Sequence, residues 1–373
     1  MSLPVQRSDQ LNPSNLRSIL RNFCIEGKPA AISRIGSGHI NDSYLVTTTH
    51  AEYVLQRINH TIFRNVPELT NNILKVTSHL KEKLLNQPVG LNSFCITQLI
   101  PTGKGEYFFQ DHGGNFWRLY TCISGTKSYD IIENPQLAYE GGKAFGIFQY
   151  LTSDIDPDAL YEILPNFHNI ETRLSDFREI VKRDPAGRVK DVQREIFFIE
   201  ERAVEMHTIL NLGQQKKITL RITHNDTKFN NILFNENNRA ISIVDLDTVM
   251  PGYLLYDFGD AIRTGANMAA EDEEDLSKVG IDLGLFKAYS TGYLEIARKF
   301  LCPAEIDHLA FSAKFMTYII GLRFLTDHLD GDHYYRIHFP GHNLQRAKSQ
   351  FKLLKDMDLN FSSMKEIIRG CCL

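Results

Sequence analysis

The chain has 373 residues, 43% of them hydrophobic, and a formal net charge of −4, with a pI near 6.4. This length and apolar content allow a large buried core and, at roughly 150 residues per domain, predict two lobes. The weakly acidic balance excludes a general attraction to nucleic acid or to an anionic membrane. Small solutes are therefore the expected partners, with no nucleic acid and no membrane.

The six cysteines have neither zinc-ligand nor redox-motif spacing, so we expect ordinary reduced thiols. The N-terminal segment lacks an apolar signal core, and no uninterrupted apolar run approaches the roughly 20 residues of a membrane span. Reduced thiols suit the cytoplasm, which is the expected location.

The first third of the chain is predicted to be mainly β. Residues 16–23 carry apolar side chains at helical spacing and predict a short helix. Strands are predicted at residues 30–35, 44–46, 53–57, 96–99 and 116–123, which together would form a five-stranded antiparallel sheet.

The rest of the chain is predicted to be mainly helical, apart from residues 67–85, a helix that interrupts the strands. Amphipathic periodicity predicts further helices at residues 136–151, 170–177, 189–210 and 311–325. The strand that ends at residue 123 breaks at Ser124-Gly125-Thr126. We therefore predict an N-terminal lobe over residues 1–125 and a C-terminal lobe over residues 126–373.

A glycine-rich turn joins the first two predicted strands, and its residues are Gly36, Ser37, Gly38 and His39. Because glycine lacks a β-carbon, backbone amides in such a turn can approach phosphate oxygens. A Gly-Ser-Gly tip is more often only a hairpin turn, but its position upstream of the catalytic stretch described below favours a nucleotide-covering role for residues 35–39.

The strongest chemical signal is the stretch from Thr223 to Asn231, followed by a predicted hairpin that ends on Asp245. Asp226 can accept the proton of a hydroxyl, and Lys228 can offset charge on a phosphoryl group in transfer. Asn231 and Asp245 supply oxygen ligands of the kind that magnesium prefers. The order His-x-Asp-x-Lys-x-x-Asn has the catalytic-loop spacing of protein kinases. The stretch therefore predicts magnesium-dependent phosphoryl transfer from ATP to a hydroxyl.

A kinase reading makes the third strand informative. Protein kinases carry a phosphate-binding Lys there, paired with a Glu of the next helix. This chain has Gln56 at that position, with Arg57 on the opposite face of a regular strand. Either Gln56 contacts phosphate as a neutral donor, or Arg57 or another cation replaces the Lys. Glu68 is the helix residue available for such a pair, or a solvated acid favoured by the helix dipole.

The break after residue 123 would be the hinge of such a kinase. We expect the backbone from Thr121 to Ile123 to hydrogen-bond the adenine edge. Thr121 and Ile123 are therefore predicted to bind the nucleotide, together with Gln56 and the glycine-rich turn.

Three acidic features follow the catalytic stretch. We expect Asp257 and Asp260, near the start of a helix, to cap amides or to brace the catalytic loop. The run at residues 271–275 is predicted to be a solvated loop. Arg323 and Asp327 lie one helical turn apart, so Arg323 either forms a salt bridge with Asp327 or holds substrate oxygens.

These phrases resemble the aminoglycoside phosphotransferase branch of the kinase-like superfamily and, more narrowly, the N-acetylhexosamine 1-kinases. The resemblance extends from about residue 34 to about residue 350. It is carried by the catalytic phrase and Ile243 to Gly252, by Gly36 to Asp42, by Val54 to Asn59, by Phe167-His168-Asn169, and by Arg323 to Asp327.

The resemblance implies an α+β, two-lobed protein-kinase-like fold: a small lobe with a five-stranded antiparallel sheet and a larger, mainly helical C-terminal lobe. It implies transfer of the ATP γ-phosphoryl group to the anomeric hydroxyl of N-acetylglucosamine or N-acetylgalactosamine, with Asp226 as general base. Thr248, Arg323 and Tyr334 would contact the sugar, although Tyr334 could equally be a core aromatic residue. His168 is expected to belong to a packed loop.

Two alternatives remain open. A kinase of the same fold could act on an aminoglycoside, choline, homoserine or a thiosugar, and a nucleotide-binding pseudokinase is suggested only by Gln56. In either kinase reading the partners are ATP, Mg²⁺ and a small hydroxyl acceptor. The expected assembly is a monomer or a weak homodimer.

Overall fold

The computed structural model describes residues 13–35, 40–85 and 94–372. The chain divides into two compact units. The first comprises Met1–Ser78 and Cys95–Gly125, and the second comprises His79–Phe94 and Thr126–Leu373. The predicted glycine-rich turn at residues 36–39 lies outside the described residues.

The first unit contains a five-stranded antiparallel sheet with the order β1-β2-β3-β5-β4. Its strands are β1 Pro29–Ile35, β2 Asp42–Thr48, β3 Glu52–Ile58, β4 Phe109–Gln110 and β5 Phe116–Thr121. Side chains alternate across the sheet, so Tyr53, Leu55 and Leu119 share one face. That face forms a core with the helix α1, Pro13–Leu20.

The prediction of a strand at residues 96–99 is wrong. The edge strand that pairs with β5 and completes the five-stranded sheet is β4. Within 96–99 only Leu99 forms a bridge, with Tyr120. The amide of Ile100 donates to the carbonyl of Leu119 at 2.8 Å, and Pro101 follows. Because Pro101 has no N–H, pairing along this edge of β5 stops there.

The second unit is mainly helical, which confirms the predicted fold class. Within the described residues the helices from α2 onward are α2 Val66–Leu85, which starts in the first unit, α3 Pro135–Thr152, α4 Ile170–Arg183, α5 Gln193–Met206, α6 Thr208–Gln214, α7 Leu254–Gly265, α8 Leu283–Ala297, α9 Pro303–Asp307, α10 Leu309–Asp330 and α11 His342–Cys371. Two antiparallel two-stranded sheets complete the unit: β6 Arg221–Thr223 pairs with β9 Met250–Gly252, and β7 Ile232–Phe234 pairs with β8 Ala240–Ile243.

The predicted helix at residues 189–210 is divided. A 3-10 turn at Val189–Asp191 precedes α5, and α6 begins only after His207. The imidazole Nδ1 of His207 lies 2.8 Å from the carbonyl oxygen of Ala203. The side chain thus takes a carbonyl near the end of α5 that a backbone amide would otherwise bind. Such side-chain bonds compete with the regular helical pattern, so the segment ends and restarts there.

Helices α3 and α8 pack in close contact. A β-carbon built on Gly142 would lie 2.1 Å from the carbonyl oxygen of Tyr289, so no larger residue fits without moving a backbone. Helix α10 is the one helix in the described part of the chain that is long and apolar enough to cross a membrane. Of its apolar window, 94% is buried inside the protein, as in the core helix of a globular domain.

Candidate active site

The catalytic stretch is a loop held between two small sheets. Strand β6 enters it, and a 3-10 turn at Phe229–Asn231 leads into the hairpin of β7 and β8. The amide of Val244 donates to the carbonyl of Asn231 at 2.9 Å. Ring Nε2 of His224 lies 3.0 Å from the carbonyl oxygen of Val244. These two bonds bring the beginning of the loop, Asn231 and the residue before Asp245 into one rigid segment.

Asp226 presents a carboxylate that is oriented by its neighbours and partly open to solvent. The Nδ2 group of Asn231 donates to the backbone oxygen of Asp226 at 2.9 Å and to its Oδ2 at 3.1 Å. Lys228 Nζ lies 3.6 Å from Asp226 Oδ1, and the two side chains are 41% and 32% exposed. The negative charge of Asp226 raises the pKa of Lys228. A charged lysine thus stands beside a carboxylate that a hydroxyl could reach.

Asn231 and Asp245 fit a magnesium ion in the chemistry of their donor atoms. The amide nitrogen of Asn231 is used by Asp226, which leaves its oxygen as the atom for a cation. Asp245 has a φ of 61°, an uncommon conformation for a residue with a β-carbon. No group of three or more His, Cys, Asp or Glu suited to a metal occurs among the described residues. Magnesium held by few protein ligands completes its shell with substrate phosphates and water.

Asp257 braces the catalytic loop, as predicted. Its Oδ2 accepts from the His224 amide at 2.9 Å and its Oδ1 from the Asn225 amide at 2.8 Å. Gln149 Nε2 donates to the same carboxylate at 3.1 Å. Burial raises the pKa of Asp257, and the electrostatic interaction with His224 and the hydrogen bonds from the two amides offset part of that rise. The loop that carries Asp226 is therefore anchored to helix α7 at the two residues directly before Asp226.

Thr248 also fastens this loop. Its hydroxyl donates to the carbonyl of His224 at 2.6 Å, and its own carbonyl accepts from Asn225 Nδ2 at 2.9 Å. The side chain is buried. The structure gives Thr248 a bracing contact, and its predicted contact with a sugar stays a prediction.

The prediction of a solvated run at residues 271–275 is wrong for Glu271. Glu271 Oε1 lies 2.5 Å from NH1 of Arg263, a buried residue of α7. Burial alone would raise the pKa of Glu271, but the charges of Arg263 and then Lys228 lower it to about 2. Arg263 also pairs with the buried Asp260 at 2.8 Å, so Asp260 binds a cation, not the amides of the catalytic loop. The first residue of the acidic run is thus the second carboxylate on a buried arginine.

Arg323 and Asp327 do not form the salt bridge that their spacing allows. Asp327 accepts the amides of His333, Tyr334 and Tyr335 at 2.8 to 2.9 Å. Among the described residues Arg323 forms no ion pair, and its one hydrogen bond reaches the hydroxyl of Tyr334 at 3.4 Å. Asp327 therefore shapes the segment after α10, and Arg323 is left with an uncompensated charge although only 8% of it is exposed.

Aromatic rings surround this guanidinium. Its carbon lies 4.6 Å from the ring centre of Phe167 and 5.7 Å from the rings of both Tyr334 and Tyr335. Such rings stabilise a cation through their quadrupoles without neutralising it. Tyr334 is 55% exposed, which contradicts its alternative reading as a core residue.

In the first unit, Gln56 lies beside a buried cation. Its Oε1 accepts from Arg118 Nε at 3.0 Å and NH2 at 2.8 Å, while its Nε2 donates to Ser43 Oγ at 2.9 Å. Arg57 is on the other face and bonds Asp42 at 2.9 and 2.5 Å. Since Arg57 is committed to Asp42, Arg118 is the cation that accompanies Gln56.

Thr121 uses its backbone amide inside the unit, where it donates to the carbonyl of Gln98 at 2.9 Å. The amide of Cys122 donates to the carbonyl of Glu52 at 3.1 Å. A nucleotide could therefore use the carbonyl of Thr121 but not its amide. Ile123 follows β5 and lies outside regular secondary structure, and its predicted adenine contact stays a prediction.

The fold and the catalytic segment together define a phosphotransferase that acts on hydroxyl acceptors. A sheet unit, a helical unit and a loop that orders Asp, Lys and Asn before a second Asp are the parts that phosphoryl transfer requires. Residues 31–295 match the phosphotransferase enzyme family, and the chain belongs to that family.

Solved structures with the same fold share little sequence with this chain. An aminoglycoside phosphotransferase from Alicyclobacillus acidocaldarius has a TM-score of 0.62 and 12% identity, covering 99% of this chain and 100% of its own. A choline kinase from Cryptosporidium parvum has a TM-score of 0.57 and 13% identity, covering 96% and 98%. A spectinomycin phosphotransferase, in complex with ADP and spectinomycin, has a TM-score of 0.53 and 14% identity, covering 97% and 99%. At these identities the likeness shows the fold.

Proposed function

We propose that this protein transfers the γ-phosphoryl group of ATP to the anomeric hydroxyl of an N-acetylhexosamine, giving the sugar 1-phosphate. The observation that carries a kinase reaction is the oriented Asp226 carboxylate with Lys228 beside it. The sugar acceptor is supported by the resemblance of the catalytic and Arg323 phrases to N-acetylhexosamine 1-kinases. An Arg323 without a carboxylate partner also suits the oxygens of a sugar.

In the proposed mechanism Asp226 accepts a hydrogen bond from the C1 hydroxyl and takes its proton. The new O–P bond forms as the bond from the γ-phosphorus to the bridging oxygen breaks, and ADP leaves. Asn231 holds the carboxylate in place, and Lys228 offsets negative charge on the phosphoryl oxygens. Magnesium, when bound by Asn231 and Asp245, would neutralise charge on the nucleotide phosphates. Asp257 and Thr248 position the loop and take no proton.

We assign nucleotide binding to Gln56, Thr121 and Ile123, together with Gly36, Ser37, Gly38 and His39, which lie outside the described residues. Arg118 is added to this set because it is a buried cation fixed to the side chain of Gln56, at the place where other kinases carry a Lys. The pair would present a guanidinium to phosphate, for which its planar fork is well suited.

The direct test is a nucleotide-consumption assay with ATP and magnesium against N-acetylglucosamine, N-acetylgalactosamine, glucose, galactose, choline, homoserine and kanamycin. Phosphorus NMR would identify the phosphorylated position. We expect a 1-phosphate from the N-acetylhexosamines. Turnover only on choline, homoserine or kanamycin would leave the family intact and refute the sugar assignment, and no turnover on any acceptor would favour the pseudokinase alternative.

Asp226→Asn tests the base. We expect turnover to fall by at least about a hundredfold, the lower bound for a positioned general base. The matched control is Asp158→Asn, the same substitution at an exposed aspartate outside the catalytic stretch, and it should retain full turnover. A loss of less than about tenfold in Asp226→Asn, or about 1.4 kcal/mol, would remove Asp226 from the chemistry.

We also propose a cytoplasmic location and action as a monomer or weak homodimer. All six cysteines lie in the described parts of the chain, and none of them forms a disulfide there. Reduced thiols and ATP as donor both suit a reducing compartment. Size-exclusion chromatography with light scattering would test the assembly.

A further inference from the structure

Phe229 is a buried apolar residue in the middle of the polar catalytic loop. Its side chain is 3% exposed, whereas that of Lys228 beside it is 41% exposed. The backbone oxygen of Phe229 accepts the amide of Ile232 and closes the 3-10 turn. Lys228 and Asn231, on either side of the buried ring, both contact Asp226. A displacement of the ring would therefore move both contacts of the proposed base.

Two glycines on different helices enclose the ring of Phe229. A β-carbon built on Gly141 of α3 would lie 2.3 Å from the ring atom Cε1, and one built on Gly265 of α7 would lie 2.2 Å from Cε2. A β-carbon essentially never lies within 3.0 Å of such an atom, so a larger residue at either position would displace the ring. Glycine is unfavourable inside a helix, and at Gly141 the space that the ring takes is a reason for it.

Tyr289 of α8 makes a third contact with this ring. The two ring centres lie 6.0 Å apart, with an angle of 61° between the ring planes. Tyr289 is 2% exposed, and its backbone oxygen is the atom that a β-carbon on Gly142 would meet. The close packing of α3 against α8 therefore fixes the position of Tyr289. We call Gly141, Gly265 and Tyr289 the Phe229 socket.

The socket ties the second half of the catalytic loop to the helices. The hydroxyl of Thr227 donates to the carbonyl of Asp257 at 2.7 Å, which holds the loop up to that point. The carbonyl of Asn231 is bound to the hairpin that follows. Between these two attachments, the ring of Phe229 links the loop to α3, α7 and α8. The position of Lys228 relative to Asn231 therefore depends on the socket.

We propose that Phe229 is a positioning residue for phosphoryl transfer, and that its ring, seated in the socket, sets the positions of Lys228 and Asn231 relative to Asp226. This inference rests on the proposed function in taking those three residues as the catalytic and magnesium-binding groups. Phe229 acts through its neighbours, which face the phosphoryl group and the cation. Its loss should therefore lower kcat and the affinity for the cation, and leave the KM of the acceptor unchanged.

The first measurement compares the same substitution at two buried rings. Phe229→Leu removes the end of the ring that lies between the two glycines. Phe286→Leu, at a fully buried ring of α8 that packs on Phe258, is the matched control. We expect both variants to lower the urea midpoint, but only Phe229→Leu to lower kcat, by at least about tenfold. The acceptor is the compound with the highest turnover in the panel above, and its KM should change by less than about twofold.

A second measurement needs no turnover. Mn²⁺ takes the same kind of oxygen ligands as Mg²⁺, and the electron paramagnetic resonance signal of free Mn²⁺ gives its affinity in the presence of saturating ADP. Phe229→Leu should weaken Mn²⁺ binding about tenfold, as is typical when the support of a metal ligand is lost. Phe286→Leu should leave the affinity unchanged, because a general loss of stability does not displace Asn231.

Substitution of the socket glycines tests the contact itself. Gly141→Ala alone should lower kcat at least about tenfold, because the new methyl group and the ring cannot occupy the same space. Leucine has no ε-carbons, so in the Phe229→Leu background Gly141→Ala should lower kcat by less than about twofold further. Gly265→Ala should behave in the same way from the other side of the ring. Gly370→Ala, at a helical glycine with open space around it, is the control and should leave kcat unchanged.

The outcomes distinguish this inference from the proposed function. Turnover of choline but of no sugar would refute the proposed function, and non-additive effects of Gly141→Ala and Phe229→Leu on choline would still support the socket. Equal kcat values in Phe229→Leu and Phe286→Leu, or effects of Gly141→Ala and Phe229→Leu that simply multiply, would overturn the socket assignment and leave the function standing. If no acceptor is turned over, unchanged Mn²⁺ affinity in Phe229→Leu overturns the assignment and a tenfold loss supports it. If Gly141→Ala or Phe229→Leu does not fold, Gly265→Ala and Phe229→Met carry the same comparison.

Discussion

Replacing Asp257 by Asn should both destabilise the protein and displace Asp226, the proposed base. The carboxylate accepts three hydrogen bonds, from the amides of His224 and Asn225 and from Gln149. Gln149 is fixed because its own oxygen accepts from the hydroxyl of Tyr293. An Asn side chain has only one oxygen, so in its better orientation it still presents an NH₂ group to one backbone N–H.

The expected loss of unfolding free energy can be estimated from these contacts. A hydrogen bond to a charged group contributes about 1.5–3 kcal/mol, and a buried N–H left unpaired adds about 1 kcal/mol or more. The two retained bonds also weaken when the acceptor loses its charge. We therefore expect Asp257→Asn to lower the free energy of unfolding by about 2–4 kcal/mol. Because the lost bond adjoins Asp226, a displacement of about 1 Å should reduce kcat about a hundredfold.

The assay is urea unfolding near neutral pH, monitored by far-UV circular dichroism, together with kcat at saturating ATP and acceptor. Asp158→Asn, at an exposed position, is the control for the loss of one negative charge. An unfolding free energy within about 0.5 kcal/mol of wild type, the range of ordinary surface substitutions, together with an unchanged kcat, would refute the bracing role. A stable variant with low kcat would instead limit the role to positioning Asp226.

Two further predictions concern charge. Since the folded-state pKa of Glu271 is lowered to about 2, its contribution is complete above the unfolded-state pKa and is lost as the pH falls from about 5 toward 2. Glu271 is about one-third exposed, so we expect Glu271→Gln to lower the free energy of unfolding by only about 1–2 kcal/mol at pH 7. If the variant and wild type still differed by the same amount at pH 2.5, the effect could not come from the charge of Glu271. Arg118→Gln should raise the KM of ATP about tenfold or more while leaving the acceptor KM unchanged, because the proposed charged contact with phosphate is lost. Arg57→Gln, on the opposite face of the sheet, is the control. Equal effects of the two substitutions would exclude a specific role for Arg118.

The catalytic segment could be predicted from sequence because its chemistry is local. Asp226, Lys228 and Asn231 lie within six positions, so their spacing alone places them on one loop. The brace from Asp257 was also foreseeable, since an acid near the start of a helix commonly binds amides. Each of these predictions needed only short-range geometry.

The residues that were missed depend on contacts between distant segments. Arg118 faces Gln56 only through the register of β3 with β5, although pairing the two predicted strands could have indicated it. Glu271 belongs to a run of five acids, and composition cannot show which one meets the buried Arg263. Arg323 and Asp327 have ideal spacing for an ion pair, yet Asp327 binds three amides of the following segment. A carboxylate with several amide donors available has less need of a cation.

Helix α7 carries three residues that contact the catalytic loop or its neighbours. Tyr256 packs on His168, Asp257 holds the catalytic loop, and Arg263 binds Glu271. The helix is itself placed against α10, the helix of Arg323. A β-carbon built on Gly259 would lie 2.2 Å from the carbonyl oxygen of Ser312, so the two backbones meet without an intervening side chain. Because side chains cannot adjust this contact, the offset between Asp226 and Arg323 in the proposed acceptor site is set by the packing of the two helix backbones.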